Sequence, residues 1–433
     1  MVGGARIIGA DRSQLCWDMV DLESQLAPDH LARVVWAFVS DLDLSPLYER
    51  IGSRDGSAGR PAADPRVLLA LWLYATLEGV GSARALEKLC AHHAAYRWLR
   101  GGVPVNYHGL SDFRTAAPEL LDRLLTQSVT ALTSSGLVAL SEVAVDGTKV
   151  EASAGRHSFR DGAGLARHEA AAAERVRLLR AELESDPGQG DRRRRAAQAR
   201  AEADVAERAG RARKALEALR AEKAKREKSH KAAEARKKSV KASSTDPDAR
   251  IMKMATGGFR PAYNLILATA PRAQIILSVM PSDRRDDAGH VLPIVADLER
   301  RYGQRPARLL ADTRLGVQDE IAALAEHDPP TMVYSPPQPD KPDAKPASVR
   351  KRAARRAQEP EPIKQWRARM DSEAGKQVYA RRRLIEAVNG QIKGMGLRKL
   401  RLRSLIKVRC EALFYAIAHN IKRGDVLRRA VPA

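Results

Sequence analysis

A long charged stretch at residues 161–242 most constrains the fold, because it separates two regions that are richer in apolar segments. It is dominated by Ala, Arg, Glu and Lys, and Asp186-Pro187-Gly188 divides it into two helical runs. Apolar positions in the second run alternate steps of four and three, the coiled-coil spacing. These positions are Val205, Ala209, Ala212, Leu216 and Leu219. The series reaches Lys223 next, so we predict a helical hairpin rather than a long coiled coil.

Residues 1–137 have the pattern of a helical domain. Asp64-Pro65 opens an apolar run, and Pro65 suits the first position of a helix. Ser82 can cap a second helix that continues through Trp98, and Gly101-Gly102 ends it. Several short helices in a basic chain suit a DNA-binding domain, and an ordinary helical bundle is the alternative.

Residues 138–433 alternate strands and helices, with the charged stretch inserted after the first strand. The predicted strands are Val143–Val145 leading into Asp146, Tyr263–Ala270, Gln274–Met280, Arg308–Ala311 running into Asp312, and Met332–Ser335. The predicted helices are Val291–Tyr302 and Val317–Ala325. This order predicts an α/β core with a mixed sheet. Residues 336–364, rich in Pro, Lys and Arg, are predicted to be a mobile loop before a long helix that begins near Asp371.

The charge of the chain limits its partners. It has 75 Lys and Arg against 53 Asp and Glu, a net charge of +22, which favours a polyanion such as DNA or RNA. An anionic membrane surface is the rival, but no stretch approaches the ~18 apolar residues of a membrane span. Cys16, Cys90 and Cys410 form no metal or redox spacing, and the N-terminus lacks the signal-peptide pattern. We therefore expect a cytoplasmic protein without a membrane segment.

The strongest local pattern lies in the predicted last long helix. Tyr379, Arg382, Glu386 and Lys393 are spaced Y-x2-R-x3-E-x6-K. On an α-helix these offsets place all four within roughly 60° of one face. A solvent-facing stripe, with Arg382 and Glu386 as an i,i+4 ion pair, is the simpler interpretation.

In these residues the chain resembles the bacterial insertion-sequence transposases with a ribonuclease-H-like core. That family carries the Tyr-Arg-Glu-Lys signature on the helix that supplies its last catalytic acid. Val145–Lys149 resembles the strand with the first catalytic Asp, and Ala311-Asp312 resembles the second. Further resemblances lie at Arg60–Pro65, Gly81–Arg84, Asp112–Arg114, Asp246–Arg250 and Tyr263-Asn264.

The resemblance implies the fold and the catalytic residues. The fold would be a ribonuclease-H-like mixed-sheet α/β core in residues 138–433, interrupted by the helical insertion at 161–242. Residues 1–137 would form an all-α DNA-binding domain. Asp146, Asp312 and Glu386 would be the catalytic, metal-binding triad.

The implied chemistry is metal-dependent cleavage and joining of DNA. Two Mg²⁺ ions roughly 3.5–4 Å apart would neutralise the attacking and leaving oxygens, with Mn²⁺ as a substitute. Mg²⁺ prefers oxygen ligands, which carboxylates supply, and no His/Cys cluster favours zinc. Water would free a 3′-hydroxyl at the end of the element, and that hydroxyl would attack the target.

The cations around the triad are expected to contact DNA phosphates. Arg382 and Lys393 lie on the predicted face of Glu386. The run of Arg398, Lys399, Arg401 and Arg403 would neutralise further phosphates. Tyr379 would pack on a sugar or base, or else in the core. Lys149 would point to the sheet face opposite Asp146 and is not assigned to the site.

The expected partners are double-stranded DNA, as terminal inverted repeats and target, and further copies of the chain on that DNA. Bound protein would associate with the nucleoid. Two alternatives stay open: an inactive or repurposed DNA-binding protein derived from a transposase, and a nuclease that cuts but never joins. One sequence difference supports the first alternative. The family continues after its second Asp with small residues, Gly and an aromatic, whereas Thr313–Gly316 follow Asp312 in this chain.

Overall fold

The computed structural model describes residues 21–53, 61–185, 189–229, 240–338 and 346–430. In these ranges a helical N-terminal region and a mixed α/β region share one large hydrophobic core. None of the helices described combines the length and apolarity needed to cross a membrane.

The N-terminal region packs around one buried helix, α3. Its helices are Leu31–Ser40 (α1), Ser45–Glu49 (α2), Pro65–Leu77 (α3), Ala83–His92 (α4), Ala94–Arg100 (α5), Tyr107–Ala116 (α6) and Pro118–Ser134 (α7). Asp64 caps α3 by accepting a hydrogen bond from the Arg66 N–H, as the Asp64-Pro65 pair predicts. Leu69 to Thr76 are all buried, so α3 is apolar on every side and lies at the centre.

The predicted second helix is divided in two. Ser82 caps α4 as expected, but the prediction that this helix continues through Trp98 is wrong. The backbone of His93 is extended (φ −102°, ψ 128°), which ends α4 and starts α5. Gly101 ends α5 in the left-handed region (φ 55°), where glycine carries no Cβ penalty.

The sheet is mixed, with β1 near its middle. The strands of the described residues are Glu142–Glu151 (β1), Phe159–Arg160 (β2), Ala242–Ser243 (β3), Arg250–Lys253 (β4), Phe259–Ala270 (β5), Ile275–Ser282 (β6), Arg308–Ala311 (β7) and Met332–Tyr334 (β8). All of them except β2 and β3 belong to this sheet. On one side of β1 lie antiparallel β5 and then β4 and β6, which pair with different parts of β5. On the other side lie β7 and β8, both parallel to β1.

The charged stretch leaves the sheet after β1 and returns before β4. Its helices are Gly162–Ser185 (α8) and Gln189–Ser229 (α9). The pairs Arg213–Glu169 and Arg175–Glu202 run in opposite chain order, so the two helices are antiparallel. The pairing of β2 with β3 closes the base of the hairpin. A small core separate from the main one, including Leu165 and Leu216, holds it together.

The C-terminal third differs from the predicted loop and single long helix. Its helices are Val291–Tyr302 (α10), Gln318–Ala325 (α11), Pro346–Ala357 (α12), Glu361–Asp371 (α13), Glu373–Ala380 (α14), Leu384–Gly394 (α15) and Leu405–Arg429 (α16). Residues 346–357 and 361–364 of the predicted loop 336–364 are helical, because Ala, Arg and Lys favour helix once Pro346 and Pro360 are placed at helix starts. Residues 339–345 of that prediction lie outside the described residues.

The predicted long helix from Asp371 is broken twice. Ser372 accepts a hydrogen bond from the Gly375 N–H and so caps a new helix, α14. A 3₁₀ turn at Arg381–Arg383 then separates α14 from α15. Tyr379, Arg382 and Glu386 consequently lie on three successive elements rather than on one continuous helix.

Helix α16 links the sheet to the N-terminal region. The Asn420 side chain bonds both the N–H and the C=O of Ile276 on β6, at 2.8 and 2.7 Å. Leu413, Ile417 and Ile421 are buried, as their spacing predicts, and His419 bonds the Gln274 carbonyl oxygen at 2.8 Å. The helix thereby packs on β6 and also on α3 and α7.

Candidate active site

Two aspartates come together on neighbouring strands, Asp146 within β1 and Asp312 directly after the end of β7. β1 and β7 are parallel, with Val145 opposite Ala311, so Asp146 and Asp312 follow as the next pair in register. Neighbouring strands lie ≈ 4.7–4.9 Å apart, and paired residues point to the same face of the sheet. One Asp312 carboxylate oxygen accepts hydrogen bonds from the N–H groups of Arg314 and Leu315, at 3.0 and 2.9 Å, which fixes the turn after β7.

The turn between α14 and α15 brings a cation onto Asp146. Arg382 donates to Asp146 Oδ1 at 2.7 Å, and its other terminal nitrogen lies 3.5 Å from Glu386 Oε1. Arg381 pairs with Glu142, four residues before Asp146 on β1. Two successive arginines therefore bind the same face of one strand, which positions the start of α15 over the sheet.

Asn389 completes the hydrogen bonding of Asp146. Its amide nitrogen donates to Asp146 Oδ2 at 2.8 Å, and its Oδ1 is buried without a hydrogen-bond partner. Sequence reasoning did not select Asn389. The available signal was its position seven residues after Arg382, which places both on one helix face.

The charged groups of the site affect the pKa values of Asp146 and Tyr379. Burial raises the pKa of the Asp146 carboxyl; Arg382 opposes this rise, and Asp312 adds to it. Burial also raises the pKa of Tyr379, and this tyrosine feels the charges of Arg382, Asp312, Asp146 and Glu386. The three predicted carboxylates therefore all lie within electrostatic range of Tyr379.

The third predicted acid remains at the rim. The Glu386 side chain is 67% exposed, whereas the side chains of Asp146 and Arg382 are 16% and 15% exposed. Within the described ranges, no three His, Cys, Asp or Glu side chains lie close enough to hold a metal ion as they stand. Glu386 reaches Asp146 only through the guanidinium of Arg382.

A second polar cluster occupies the other face of β1. Asn264 pairs with Lys149 across β1 and β5, and its amide donates to the buried Asp287 at 2.6 Å. Lys149 lies 3.9 Å from the same carboxylate. A Cβ on Gly147 would collide with Asp287, so glycine is required there for this close approach. Sequence reasoning missed Asp287 because nothing in its local pattern marks it.

The basic run lies at the far end of β1. Backbone hydrogen bonds join Glu151 to Arg398 and Leu400, at 3.1 and 2.7 Å. Arg398, Lys399, Arg401 and Arg403 are exposed. Five residues of strand separate Glu151 from Asp146, a distance of about 16 Å. The run therefore does not touch the carboxylates, and half-buried Lys393 connects to it through its carbonyl oxygen, which accepts a hydrogen bond from Arg398.

Comparisons with known proteins match two parts of the chain. The family model described as "Transposase DDE domain" matches residues 343–424, which include Glu386 but neither aspartate. The model described as "Transposase domain (DUF772)" matches residues 20–116, in the helical N-terminal region. Neither the curated proteins nor the solved structures give a significant match. The two family matches, one on each side of the sheet strands, support a DDE transposase family for this chain.

Proposed function

We propose that this protein is a DNA transposase that cuts DNA at terminal inverted repeats and transfers the freed 3′-hydroxyl end into target DNA. One observation carries the proposal: Asp146 within β1 lies beside Asp312 at the end of β7, with Glu386 joined to Asp146 through Arg382. The DDE domain match supports it, because that family in general acts on DNA as a nuclease or transposase.

The sheet supports a ribonuclease-H-like scaffold. Its neighbouring strands run β6-β5-β1-β7-β8, with only β5 antiparallel to β1. This arrangement agrees with the element order predicted from the sequence, which is three consecutive strands followed by alternating helices and strands. On this proposal residues 138–433 are the catalytic domain, with 161–242 as its insertion and 1–137 as the DNA-binding domain.

The donor groups present fit Mg²⁺, with Mn²⁺ as its substitute. Asp146, Asp312 and Glu386 offer only oxygen ligands, which a hard cation prefers. The unpartnered Oδ1 of Asn389 is a further buried oxygen at the same place. A cation is already favoured there, since the guanidinium of Arg382 lies between Asp146 and Glu386.

The proposed roles follow from this placement. Asp146, Asp312 and Glu386 would hold two metal ions, whose chemistry is to neutralise charge on the attacking and leaving oxygens. Asn389 holds the orientation of Asp146 by its hydrogen bond. Arg382 is the group nearest the carboxylates that can turn to a phosphate, as a bidentate donor. Tyr379, half-buried beside it, would pack against the sugar or base next to the cut.

Positively charged side chains would bind the phosphates of the DNA that lies outside the site. Lys393 and the run of Arg398, Lys399, Arg401 and Arg403 extend from the end of α15 along the end of β1. Phosphate contacts of this kind position the duplex without reading its sequence. Both ends of an element must be held together for transfer, so we propose a homo-oligomer on DNA.

The proposal is tested with a labelled duplex that carries the element's end, a supercoiled plasmid and Mg²⁺. A transposase nicks the duplex to a 3′-hydroxyl and joins that strand to the plasmid. Nicking without joining identifies a nuclease instead. Specific binding with neither product, in Mg²⁺ and in Mn²⁺, identifies the inactive DNA-binding protein and contradicts the proposal.

A further inference from the structure

An exposed aromatic ring sits on the tip of the hairpin between β4 and β5. Phe259 is 57% exposed, and it is the only aromatic among the large exposed apolar side chains of the described residues. Gly257 and Gly258 precede it with positive φ angles of 91° and 74°. Hydrogen bonds from the Met254 N–H to Gly258 and from the Gly257 N–H to Met254, at 3.0 and 3.1 Å, fix this turn. The ring is therefore presented to solvent by an ordered turn.

Phe259 lines an open cavity of about 420 Å³ whose charged wall is basic. Three cations line it: Arg156, Arg260 and Lys399. The one carboxylate of the wall, Glu151, is paired with Arg260. Arg156 and Lys399 are exposed and form no ion pair with a carboxylate in the part of the chain that the structure describes. The cavity thus combines one bare ring with two uncompensated positive charges.

The position of the cavity connects it to the proposed DNA path. Lys399 belongs to the basic run and lies beside Glu151 at the end of β1. Asp146 is five residues away on the same strand, about 16 Å. That distance corresponds to roughly five base steps of duplex, at about 3.4 Å per step. Phe259 lies three residues beyond the partner of Glu151 on β5, so a strand held at the carboxylates reaches the ring about eight base steps from the cut.

We propose that Phe259 is a stacking platform for an unpaired nucleobase of the bound DNA, with Arg156 and Lys399 holding the flanking phosphates. A base inside a duplex already stacks on its neighbours, so only an unpaired base has a face free for the ring. Aromatic side chains between cations are the recurring means of holding such bases, whatever their sequence. This inference rests on the proposed action on DNA and adds the unpaired strand as a ligand.

The test compares two labelled probes, a blunt duplex and the same duplex with a short single-stranded 3′ overhang. The proteins are the full chain, Phe259→Leu, which keeps apolar bulk without a ring, and Phe259→Trp, which keeps a ring. Met332→Ala, at an exposed apolar side chain outside the cavity, is the matched control. Because Phe259 is mostly exposed, these variants are expected to fold.

We expect the wild type, Phe259→Trp and Met332→Ala to prefer the overhang. Phe259→Leu should lose on the order of tenfold in affinity for the overhang and keep its affinity for the blunt duplex. An unchanged preference in Phe259→Leu overturns the inference. A change in the sedimentation of Phe259→Leu without a change in its preference for the overhang also overturns the inference. That result would indicate that the ring contacts a second copy of the chain.

Nicking of the duplex in Mg²⁺ separates this inference from the proposed function. Nicking by the wild type together with an unchanged preference in Phe259→Leu leaves the proposed function standing and overturns the base platform alone. Failure of the wild type to bind either probe overturns both.

Discussion

At the scale of single residues, Arg382 is the main positive charge that balances the carboxylates of the candidate site. It binds Asp146 and lies against Glu386, so it occupies the position in which a cation balances both carboxylates. Burial raises the pKa of Asp146, and Arg382 is the largest influence that opposes the rise. The charge of this one side chain therefore controls how readily Asp146 ionises.

Replacing Arg382 with Gln should move metal binding to higher pH. Without the guanidinium the pKa of Asp146 rises further, and protons then compete with the metal at a higher pH. The midpoint of Mn²⁺-induced thermal stabilisation against pH should shift upward. Arg383→Gln, at the exposed neighbour, is the control and should leave the midpoint in place. Identical curves for Arg382→Gln and the wild type would refute the assigned role.

Replacing Asp146 with Asn should not destabilise the metal-free protein at neutral pH. Since folding raises the pKa of Asp146, its contribution to stability is present in acid and is lost as the pH rises through the folded value. Asn cannot ionise, and once the Asn389 amide flips, the new side-chain NH₂ can donate to the Asn389 Oδ1, which has no partner in the native protein. We expect a gain of about 0.5–2 kcal/mol at neutral pH that disappears in acid. Thermal melts in chelator across pH measure it, and a lower melting temperature at neutral pH would contradict it.

At the scale of elements, the site depends on how α15 and α16 are attached to the sheet. Arg381 anchors the turn before α15 to Glu142 on β1. Asn420 anchors α16 by bonding both backbone groups of Ile276 on β6. Each attachment is a polar contact between a helix and a named strand position, so each can be removed singly.

Asn420→Ala should lower the free energy of unfolding by roughly 2–5 kcal/mol. The substitution leaves the N–H and C=O of Ile276 buried and unpaired, and each unpaired group costs about 1–3 kcal/mol. Urea denaturation measures the change. Lys422→Ala, exposed on the same helix, should stay within about 0.5 kcal/mol of the wild type. Equal stability of the two variants would show that the contact does not hold α16.

Strongly patterned elements could be predicted from the sequence, and helix breaks could not. The bounds of α10 and β7 are confirmed residue for residue, because apolar periodicity and flanking Gly or Asp define them. The Asp146 strand is confirmed in type and runs on to Glu151. The break at Ser372 was missed because a capping Ser inside a charged helical pattern looks the same as a surface Ser. Pro, Lys and Arg suggested a loop where α12 and α13 form, because composition does not show which prolines start helices.

The candidate site was predicted in part for a similar reason. Asp146 and Asp312 could be chosen because the segments around them resemble the family's motifs, and the parallel pairing of β1 and β7 brings them together. The binding of Arg382 to Asp146 spans 236 positions in the sequence, and only tertiary structure supplies such a contact. Asn389 and Asp287 could not be predicted for the same reason, since the role of each depends on a hydrogen-bond partner distant in the chain.

At the scale of the whole molecule, the net charge of +22 attracts the chain to polyanions such as DNA. Much positive charge is already paired inside the protein, as in the cluster of Arg300, Arg301 and Arg409 around Asp122. The basic run beyond α15 is different, because Arg398 and Lys399 are exposed and form no ion pair among the described residues. Phosphate binding should therefore depend on this run more than on total charge.

The double variant Arg398→Gln/Lys399→Gln should weaken DNA binding and flatten its salt dependence. Removing one cation that binds a phosphate reduces the slope of log K against log salt by about 0.9, so the double variant should reduce it by about 2. Titrations by fluorescence anisotropy at several salt concentrations give the slope. Lys422→Gln/Arg428→Gln removes the same charge from exposed positions of α16. A slope that changes equally in both double variants would mean that only total charge matters.

The most direct test of the central claim is metal-dependent nicking of the element's end by Glu386→Gln. The proposal requires the Glu386 carboxylate to join Asp146 and Asp312 in holding Mg²⁺, although its side chain is mostly exposed and touches Arg382. Glu373→Gln, at an exposed glutamate of α14, is the matched control. We predict that the wild type and the control nick the duplex, whereas Glu386→Gln binds it and leaves it intact. Nicking by Glu386→Gln at the wild-type rate would contradict the account.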